Sequence, residues 1–277
     1  MSMTRERSGV VFQRLDRDLI KLSSKPVAEN VHRFRTGIRR LQTLLQELSP
    51  QRDRNQKKLL KLLSRLRKRA GKVRDIDVQL AALRSLKLPQ EPRRKTQLMH
   101  RLIELRSDYE SKLHKAFDKD TIREVRRRLK RASKEFDPQS TRDPLAVARR
   151  MLTEIEQPEA TLTEQSLHQY RIFGKRARYA AEFASKSAEA SQFIAELKRM
   201  QDALGDWRDW LTLTKIAGEQ LGDVRESPLV AELHNVTGAK FRHAITVLSH
   251  VRAKPVLHPA PPPQAPARVS AKAIPAA

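Results

Sequence analysis

The chain carries the same pattern of basic residues twice, and this repeat constrains the fold more than any other feature. Residues 31–41 read VHRFRTGIRRL, and residues 167–179 read LHQYRIFGKRARY. In both segments a histidine is followed by an arginine three residues later and by basic residues seven and eight positions later. The two histidines, His32 and His168, lie 136 positions apart.

A glycine motif follows each histidine motif at nearly the same separation. The sequence LRKRAGKVRDIDV begins at Leu66, and MQDALGDWRDWLT begins at Met200. Both contain Gly-x-x-Arg-Asp, and their glycines, Gly71 and Gly205, lie 134 positions apart. Two motifs in the same order at a near-constant separation predict an internal duplication. The predicted repeats span about 9–135 and about 143–252.

Helix-favouring residues dominate the sequence, and no segment alternates as a strand does. Leu, Ala, Arg, Lys, Glu and Gln are abundant, whereas the chain has only 8 glycines. Apolar residues recur at helical spacing along most of the chain, which predicts an all-α fold. We expect Gly71 and Gly205 to interrupt helices. The predicted helices beside them are 52–70, 72–87, 189–204 and 206–221.

The composition changes near the C-terminus. Residues 253–277 are rich in Pro and Ala and lack the apolar content that a packed core needs. The sequence therefore predicts a helical domain over 1–252 and a disordered or extended tail over 253–277.

The charge balance indicates an anionic partner. The chain has 57 Lys and Arg against 32 Asp and Glu, a formal net charge of +25. Such an excess concentrates anions, which can be nucleic acid, an acidic membrane surface or an inorganic polyanion. The absence of cysteine excludes disulfides, cysteine-ligated zinc and thiol nucleophiles. No signal peptide is apparent, and no run of about 18 apolar residues exists to cross a membrane. We therefore expect a cytoplasmic protein without a membrane partner.

The repeated histidine motif places its cations beside the core face of a helix. At about 100° per residue, His32, Arg35 and Arg39 form one stripe, and the apolar residues centre about 140° away. In the second copy His168, Arg171, Lys175 and Arg178 fall within about 80° of one another. A stripe that borders the core points into the space between packed helices. Cations held there repel one another unless an anion joins them.

Further cations near these motifs leave two interpretations open. Lys61, Arg65 and Lys68 recur at helical spacing after the first motif, and Lys198 occupies the corresponding region of the second copy. A weaker match at 134 positions pairs Arg106 with Lys240. These residues either extend a binding site or belong to solvated helix faces. The basic segment 123–131 is open in the same way, as a contact for nucleic acid or lipid or as a solvated face.

The acidic and aromatic residues of the glycine motif favour structural roles. Asp75 and Asp209 either cap a helix that begins after the glycine or pair with an arginine. Trp207 and Trp210 are interpreted as core residues rather than as stacking platforms.

At these residues the sequence resembles the CHAD domain, the conserved histidine α-helical domain. The resemblance rests on the two histidine motifs and on GKVRDIDV, and it covers about residues 9–252. It implies two four-helix bundles related by a pseudo-two-fold, with a basic central groove or pore that binds inorganic polyphosphate. It also implies an association with polyphosphate granules. The matching positions are His32, Arg35, Arg39 and Arg40 in the first copy, and His168, Arg171, Lys175 and Arg178 in the second.

The residues thus predict a non-catalytic polyanion-binding protein that uses no cofactor and no metal, and the resemblance implies that the polyanion is inorganic polyphosphate. The main alternative is nucleic-acid binding, although aromatic residues make up only 5% of the chain and do not alternate with basic residues. A third hypothesis is an enzyme that acts on phosphate esters or anhydrides. It needs a phosphate loop or an acidic metal cluster, and the sequence contains neither motif.

Overall fold

The computed structural model describes residues 5–88, 91–154, 162–222 and 224–252, and in this part the chain is helical without a strand. The predicted tail, 253–277, lies outside the described residues. The helices, in chain order, are α1 (Arg5–Ser24), α2 (Ala28–Thr43), α3 (Arg54–Ser85), α4 (Pro92–Ala116), α5 (Lys119–Glu135), α6 (Pro144–Thr153), α7 (Glu164–Ala181), α8 (Ala188–Leu221) and α9 (Pro228–Arg252). One π-helical turn, Leu44–Leu48, extends α2. No helix among the described residues is long and apolar enough to cross a bilayer.

Side-chain caps set the beginnings of α3, α7 and α8, three of the four helices that carry the repeated motifs. The carboxylate of Asp53 accepts a hydrogen bond of 2.8 Å from the Gln56 backbone N–H and starts α3. Thr163 and Ser166 form a reciprocal capping box that starts α7. The hydroxyl of Ser187 accepts from the Ala190 backbone N–H and starts α8. Local polar residues therefore fix where each of these helices begins.

Helices α3 and α8 run unbroken through Gly71 and Gly205, so the predicted breaks at these glycines were wrong. Neither glycine has a positive φ, and Gly222 is the described residue that does. A glycine inside a helix costs only about 1 kcal/mol relative to alanine. Packing of α3 on α4 and of α8 on α9 along their lengths outweighs that cost.

The long helices α3 and α8 pass through two hydrophobic cores. The larger core includes the fully buried Phe34 and Phe193, and α1, α2, α5, α6 and α7 contribute to it. The smaller core lies where the C-terminal halves of α3 and α8 pack with α4 and α9. Trp207 belongs to the larger core and Trp210 to the smaller one, which confirms their interpretation as core residues.

Two contacts bring the repeated motifs together: α2 packs on α7, and α3 packs on α8. Gly174 lets α7 lie close to α8, because any side chain there would displace the terminal methyl of Met200. The backbone carbonyl of Gly174 accepts a buried hydrogen bond of 2.8 Å from Gln201 Nε2. The histidine motifs of α2 and α7 therefore face a common region.

Candidate anion-binding site

The basic stripe of α2 lies next to the core. Val31, Phe34 and Ile38 are completely buried, whereas Arg35 and Arg39 on the adjoining face are only half-buried. The angle of about 100° per residue predicted from the sequence that these arginines lie beside the core face. The guanidinium groups are thus held at the edge of the core rather than in open solvent.

Arg35 lies over Gly71 of α3. Its Nη1 donates a hydrogen bond of 3.3 Å to Asp75 Oδ1, one turn further along α3. A Cβ atom at position 71 would stand 3.7 Å from Arg35 Nη2, so the glycine brings the α3 backbone against the guanidinium. Because Asp75 lies within α3, it cannot be an N-cap, and of its two interpretations the pairing with an arginine is confirmed.

The basic stripe of α7 carries polar atoms without partners. His168 Nδ1 and Arg171 Nε are buried and have no hydrogen-bond partner among the described residues. Burial, and then repulsion from Arg171 and Arg39, lowers the pKa of Lys175 to about 8, although Asp209 acts in the opposite direction. Charges on α7 are therefore held together at an energetic cost that a bound anion would relieve.

The two stripes meet in one place. The charge of Arg39 on α2 contributes to lowering the pKa of both Arg171 and Lys175 on α7, after burial in each case. Arg67 of α3 joins them: burial, then Arg39 and Arg35, lowers its pKa, and its buried Nε has no partner among the described residues. We call Arg35, Arg39, Arg67, Arg171 and Lys175 the central cluster.

Sequence inspection missed Arg67. The available signal was its position four residues before Gly71, on the face of α3 that the glycine presents to Arg35. Its equivalent in the second copy, 134 positions later, is Gln201, so the repeat itself did not mark this position.

Carboxylates compensate the central cluster only in part. Asp75 pairs with Arg35, and the half-buried Asp209 lies near Lys175 and Arg171. Burial raises the pKa of Asp209, although both cations lower it. Within the described residues Arg39, Arg67, Arg171 and Lys175 form no ion pair, so positive charge remains in excess.

The two histidines stand at the edges of the central cluster. Burial and then Arg74 lower the pKa of His32, with Glu29 opposing them. Burial, Arg171 and Arg208 lower the pKa of His168. Both rings are therefore less readily protonated than a free histidine, and an anion bound beside them would reverse the effect.

Two other predicted cations share one glutamate as their ion-pair partner. Glu182, just after α7, accepts a hydrogen bond of 2.9 Å from Arg40 Nε and another from Arg178 Nη1. Arg178 Nε also donates to Gln201 Oε1 at 2.9 Å. Arg40 and Arg178 therefore tie the α2 and α7 regions together, and neither is a free cation.

The remaining predicted residues lie elsewhere. Arg106 pairs with Asp77 at 2.7 Å and Glu110 at 2.6 Å, and Lys240 pairs with Asp206 at 2.7 Å.

Lys198 is exposed on α8. Lys61, Arg65 and Lys68 are exposed on α3 and line an open depression of about 460 Å³. In the basic segment of α5 several arginines pair with acids, including Arg126 with Asp16 at 2.9 Å.

A larger open cavity of about 950 Å³ adjoins the stripe of α2 on its other side. His32 and Arg40 line it together with Arg14, Arg17 and Lys21 of α1 and Lys186 beyond α7. The sequence motifs gave no indication of this cavity, because it depends on how α1 packs against α2. No three His, Asp or Glu side chains of the described chain are grouped as metal ligands would be.

Fold and site together define an all-helical protein in which basic faces of separate helices share one cluster. Residues 12–217 match the CHAD domain, and the chain therefore belongs to the CHAD domain family. The fold is similar to the crystal structure of the CHAD domain from the plant Ricinus communis, with a TM-score of 0.62, 18% identity and 89% of each chain covered. It is also similar to PptA from Streptomyces chartreusis, with a TM-score of 0.67 and 15% identity over 91% of this chain and 100% of that one. Comparison with curated protein sequences returns no match.

Proposed function

We propose that this protein binds inorganic polyphosphate without acting on it chemically, and that the central cluster is the binding site. One observation carries the proposal: half-buried cations from α2, α3 and α7 converge with too few carboxylates to neutralise them. Membership of the CHAD domain family, whose members are associated with polyphosphate, supports the same ligand.

The chemistry of the cluster suits a chain of phosphates better than a single anion. Arginine guanidinium groups bind phosphate oxygens through paired charge-assisted hydrogen bonds, and lysine acts as a point charge. The cations come from three helices, so a ligand with charge spread along its length can meet them together. His32 and His168 at the edges add charge when they are protonated.

The architecture proposed with this function is two copies of one unit, at about 9–135 and 143–252, that form two four-helix bundles around a basic groove. The order of packing supports it, because α1 to α4 contact one another in sequence as α6 to α9 do. Helix α5 has no counterpart among the described residues of the second copy, and it packs on α1 and α3. Each copy then contributes one histidine stripe to the groove.

Residue roles in the proposed site fall into four groups. His32, His168 and the central cluster contact the ligand. Arg40 and Arg178 are held by Glu182 and act by positioning α2 against α7. The exposed cations Lys61, Arg65 and Lys68 contact only ligand that extends beyond the cluster. Arg106 and Lys240 contribute to stability through their carboxylate partners, and the exposed Lys198 of α8 contacts no ligand.

A binding comparison tests the site. We expect the variant with Arg35, Arg39, Arg171 and Lys175 replaced by alanine to bind long-chain polyphosphate at least about 100-fold more weakly, since several charge-assisted contacts are lost together. The matched control replaces four cations of α5, namely Arg123, Arg127, Arg131 and Lys134, and should change the affinity only a few-fold. Equal affinities for the wild type and the first variant would exclude the central cluster.

Two further measurements separate the alternatives. Nucleic-acid binding predicts that duplex DNA or RNA displaces polyphosphate at equal phosphate concentration, whereas the proposed site retains polyphosphate. An enzyme would shorten polyphosphate during incubation with magnesium, whereas a binding protein leaves its length unchanged. Targeting to polyphosphate granules is the cellular consequence we propose, and a fluorescent fusion of the quadruple variant should no longer localise to them.

A further inference from the structure

The two long helices that carry the glycine motifs differ sharply in charge. Residues 54–74 of α3 contain ten Lys and Arg and no acidic residue. The stretch 134 positions later, 188–208 of α8, contains three Lys and Arg and four acidic residues. Like charges three and four positions apart destabilise a helix. The two copies repeat the same motifs closely, yet the unfavourable charge is concentrated in the first copy alone.

The cations of α3 line a depression beside the end of the basic stripe of α2. Gln42 and Gln46 continue the stripe of α2 beyond Arg39, at the same helical spacing. They face the depression lined by Lys57, Lys61 and Lys68 of α3. Arg67, which belongs to the central cluster, lies one residue before Lys68 on the same helix. The distance along α3 from Arg67 to Lys57 is about 15 Å, at about 1.5 Å per residue.

None of these cations is neutralised within the described chain. Lys57, Lys61 and Lys68 are exposed and form no ion pair with a described residue. Elsewhere on the surface arginines do find acidic partners, as Arg126 does in Asp16. We call Lys57, Lys61, Arg65 and Lys68, which line this depression, the α3 track.

The corresponding positions of the second copy hold residues that bond to one another. The positions that match Gln42 and Gln46, 136 residues later, are Arg178 and Glu182, which are bonded to each other. Arg178 is bonded also to Gln201, which replaces Arg67. Asp202 stands at the position of Lys68. The stripe of α7 therefore ends at residues that bond to one another. The stripe of α2 ends instead beside lysines of α3 that form no ion pair with a described residue.

We infer that a long polyphosphate chain leaves the central cluster along the α3 track and not along α8. The inference rests on the proposed function and adds a direction to it: the two copies share the cluster, but only the first extends it. Short polyphosphate needs only the central cluster, whereas longer chains gain affinity from the track.

Replacing Lys57, Lys61 and Lys68 with alanine tests the track. All three are exposed, and alanine favours the helix, so the variant retains the fold. The measurements are dissociation constants for tripolyphosphate and for long-chain polyphosphate over a series of salt concentrations. Wild-type protein should bind the long chain at least about tenfold more tightly per molecule. The variant should lose most of that gain, keep its affinity for tripolyphosphate, and show a salt dependence whose slope is smaller by about 2.

Two control variants make the comparison specific. Replacement of Lys119, Lys130 and Lys134 of α5 removes the same charge from another surface and should preserve the long-chain gain. Replacement of Lys198 and Arg199 of α8 removes the nearest cations of the second copy and should also preserve it. Melting temperatures should show that each variant is folded, and the track variant should melt no lower than wild type because repulsion within α3 is reduced.

The outcomes are distinguishable. If the track variant retains the long-chain gain, or if the α8 variant loses it equally, the directional inference is wrong while the central cluster stands. If wild-type protein binds neither tripolyphosphate nor long-chain polyphosphate, or binds both equally well without the central cluster, the proposed function itself is contradicted.

Discussion

Arg39 on α2 and Lys175 on α7 are held on facing helices without an ion pair to any described residue, and the charge of Arg39 contributes to a Lys175 pKa of about 8. The two residues occupy equivalent positions in the repeated motif, 136 residues apart. The contact between α2 and α7 therefore stores repulsion that a bound anion would convert into attraction.

Replacing Lys175 with methionine should stabilise the free protein and weaken polyphosphate binding. A lysine whose pKa falls from 10.5 to about 8 on folding destabilises the folded state below pH 8 by about 2–4 kcal/mol. The free energy of unfolding of the wild type should rise between about pH 8 and 10.5, because in this range Lys175 stays protonated only in the unfolded state. The variant should lack this rise. Denaturant unfolding at several pH values measures the free energy of unfolding of both proteins. Lys112→Met, at an exposed position, is the control, and a variant less stable than wild type at pH 7 would contradict the burial of charge.

Polyphosphate binding at about pH 8.5 should be accompanied by proton uptake. Part of the Lys175 population is neutral in the free protein at this pH, and an anion beside it raises its pKa towards the ordinary value. Calorimetry in buffers of different ionisation enthalpy measures the uptake. Lys175→Arg keeps the charge but cannot lose the proton, so it should bind without this uptake. Identical uptake in both proteins would assign the proton to another group.

The two histidines should make binding stronger as the pH falls. In the free protein the pKa values of His32 and His168 are lowered from 6.5, so both are neutral above that pH. Bound phosphate raises them, and affinity therefore increases as the pH drops through 6.5 and below. A variant with both replaced by glutamine should lose this increase, as measured by dissociation constants between about pH 5 and 7.5. The same replacements at the exposed His114 and His243 should leave the pH profile unchanged.

Replacing Glu182 with glutamine should destabilise the free protein by about 1–2 kcal/mol, because Arg40 and Arg178 lose their shared carboxylate. Polyphosphate should raise the melting temperature of this variant more than that of wild type, since the ligand meets two additional unneutralised cations. Glu135→Gln, which breaks an exposed pair with Arg131, should have little effect on either quantity. A ligand-induced shift no larger than that of wild type would place the two arginines outside the reach of the anion.

Gly205→Ala should stabilise the protein by about 0.5–1 kcal/mol. The glycine lies inside α8 without a positive φ, and a Cβ there would have no neighbour within 4 Å. The same change at Gly222, whose φ is 88°, should instead be destabilising. Thermal unfolding measures both. Destabilisation by Gly205→Ala would contradict the unbroken course of α8 and would favour the helix break that the sequence predicted.

The sequence by itself determined the features that depend on neighbouring residues along one helix. Spacing of apolar and basic residues predicted an all-helical fold, the core faces, and the position of His32, Arg35 and Arg39 beside the core of α2. These predictions hold because a helix fixes the angle between side chains three and four positions apart, whatever surrounds it. The helix breaks predicted at Gly71 and Gly205 failed because packing along α3 and α8 outweighs a local glycine penalty.

Tertiary structure alone decided which charges meet and which are neutralised. Arg67 joins the central cluster although its equivalent in the second copy is Gln201, whereas Arg40 and Arg178, which match the motif, are bonded to Glu182. Arg106 and Lys240 likewise find carboxylates on other helices. A charge 100 residues away in sequence can lie within a few ångströms in space, and its effect depends on distance and burial. The pattern along the chain therefore specified the cations, and the packing of α2, α3 and α7 decided which of them remain available to an anion.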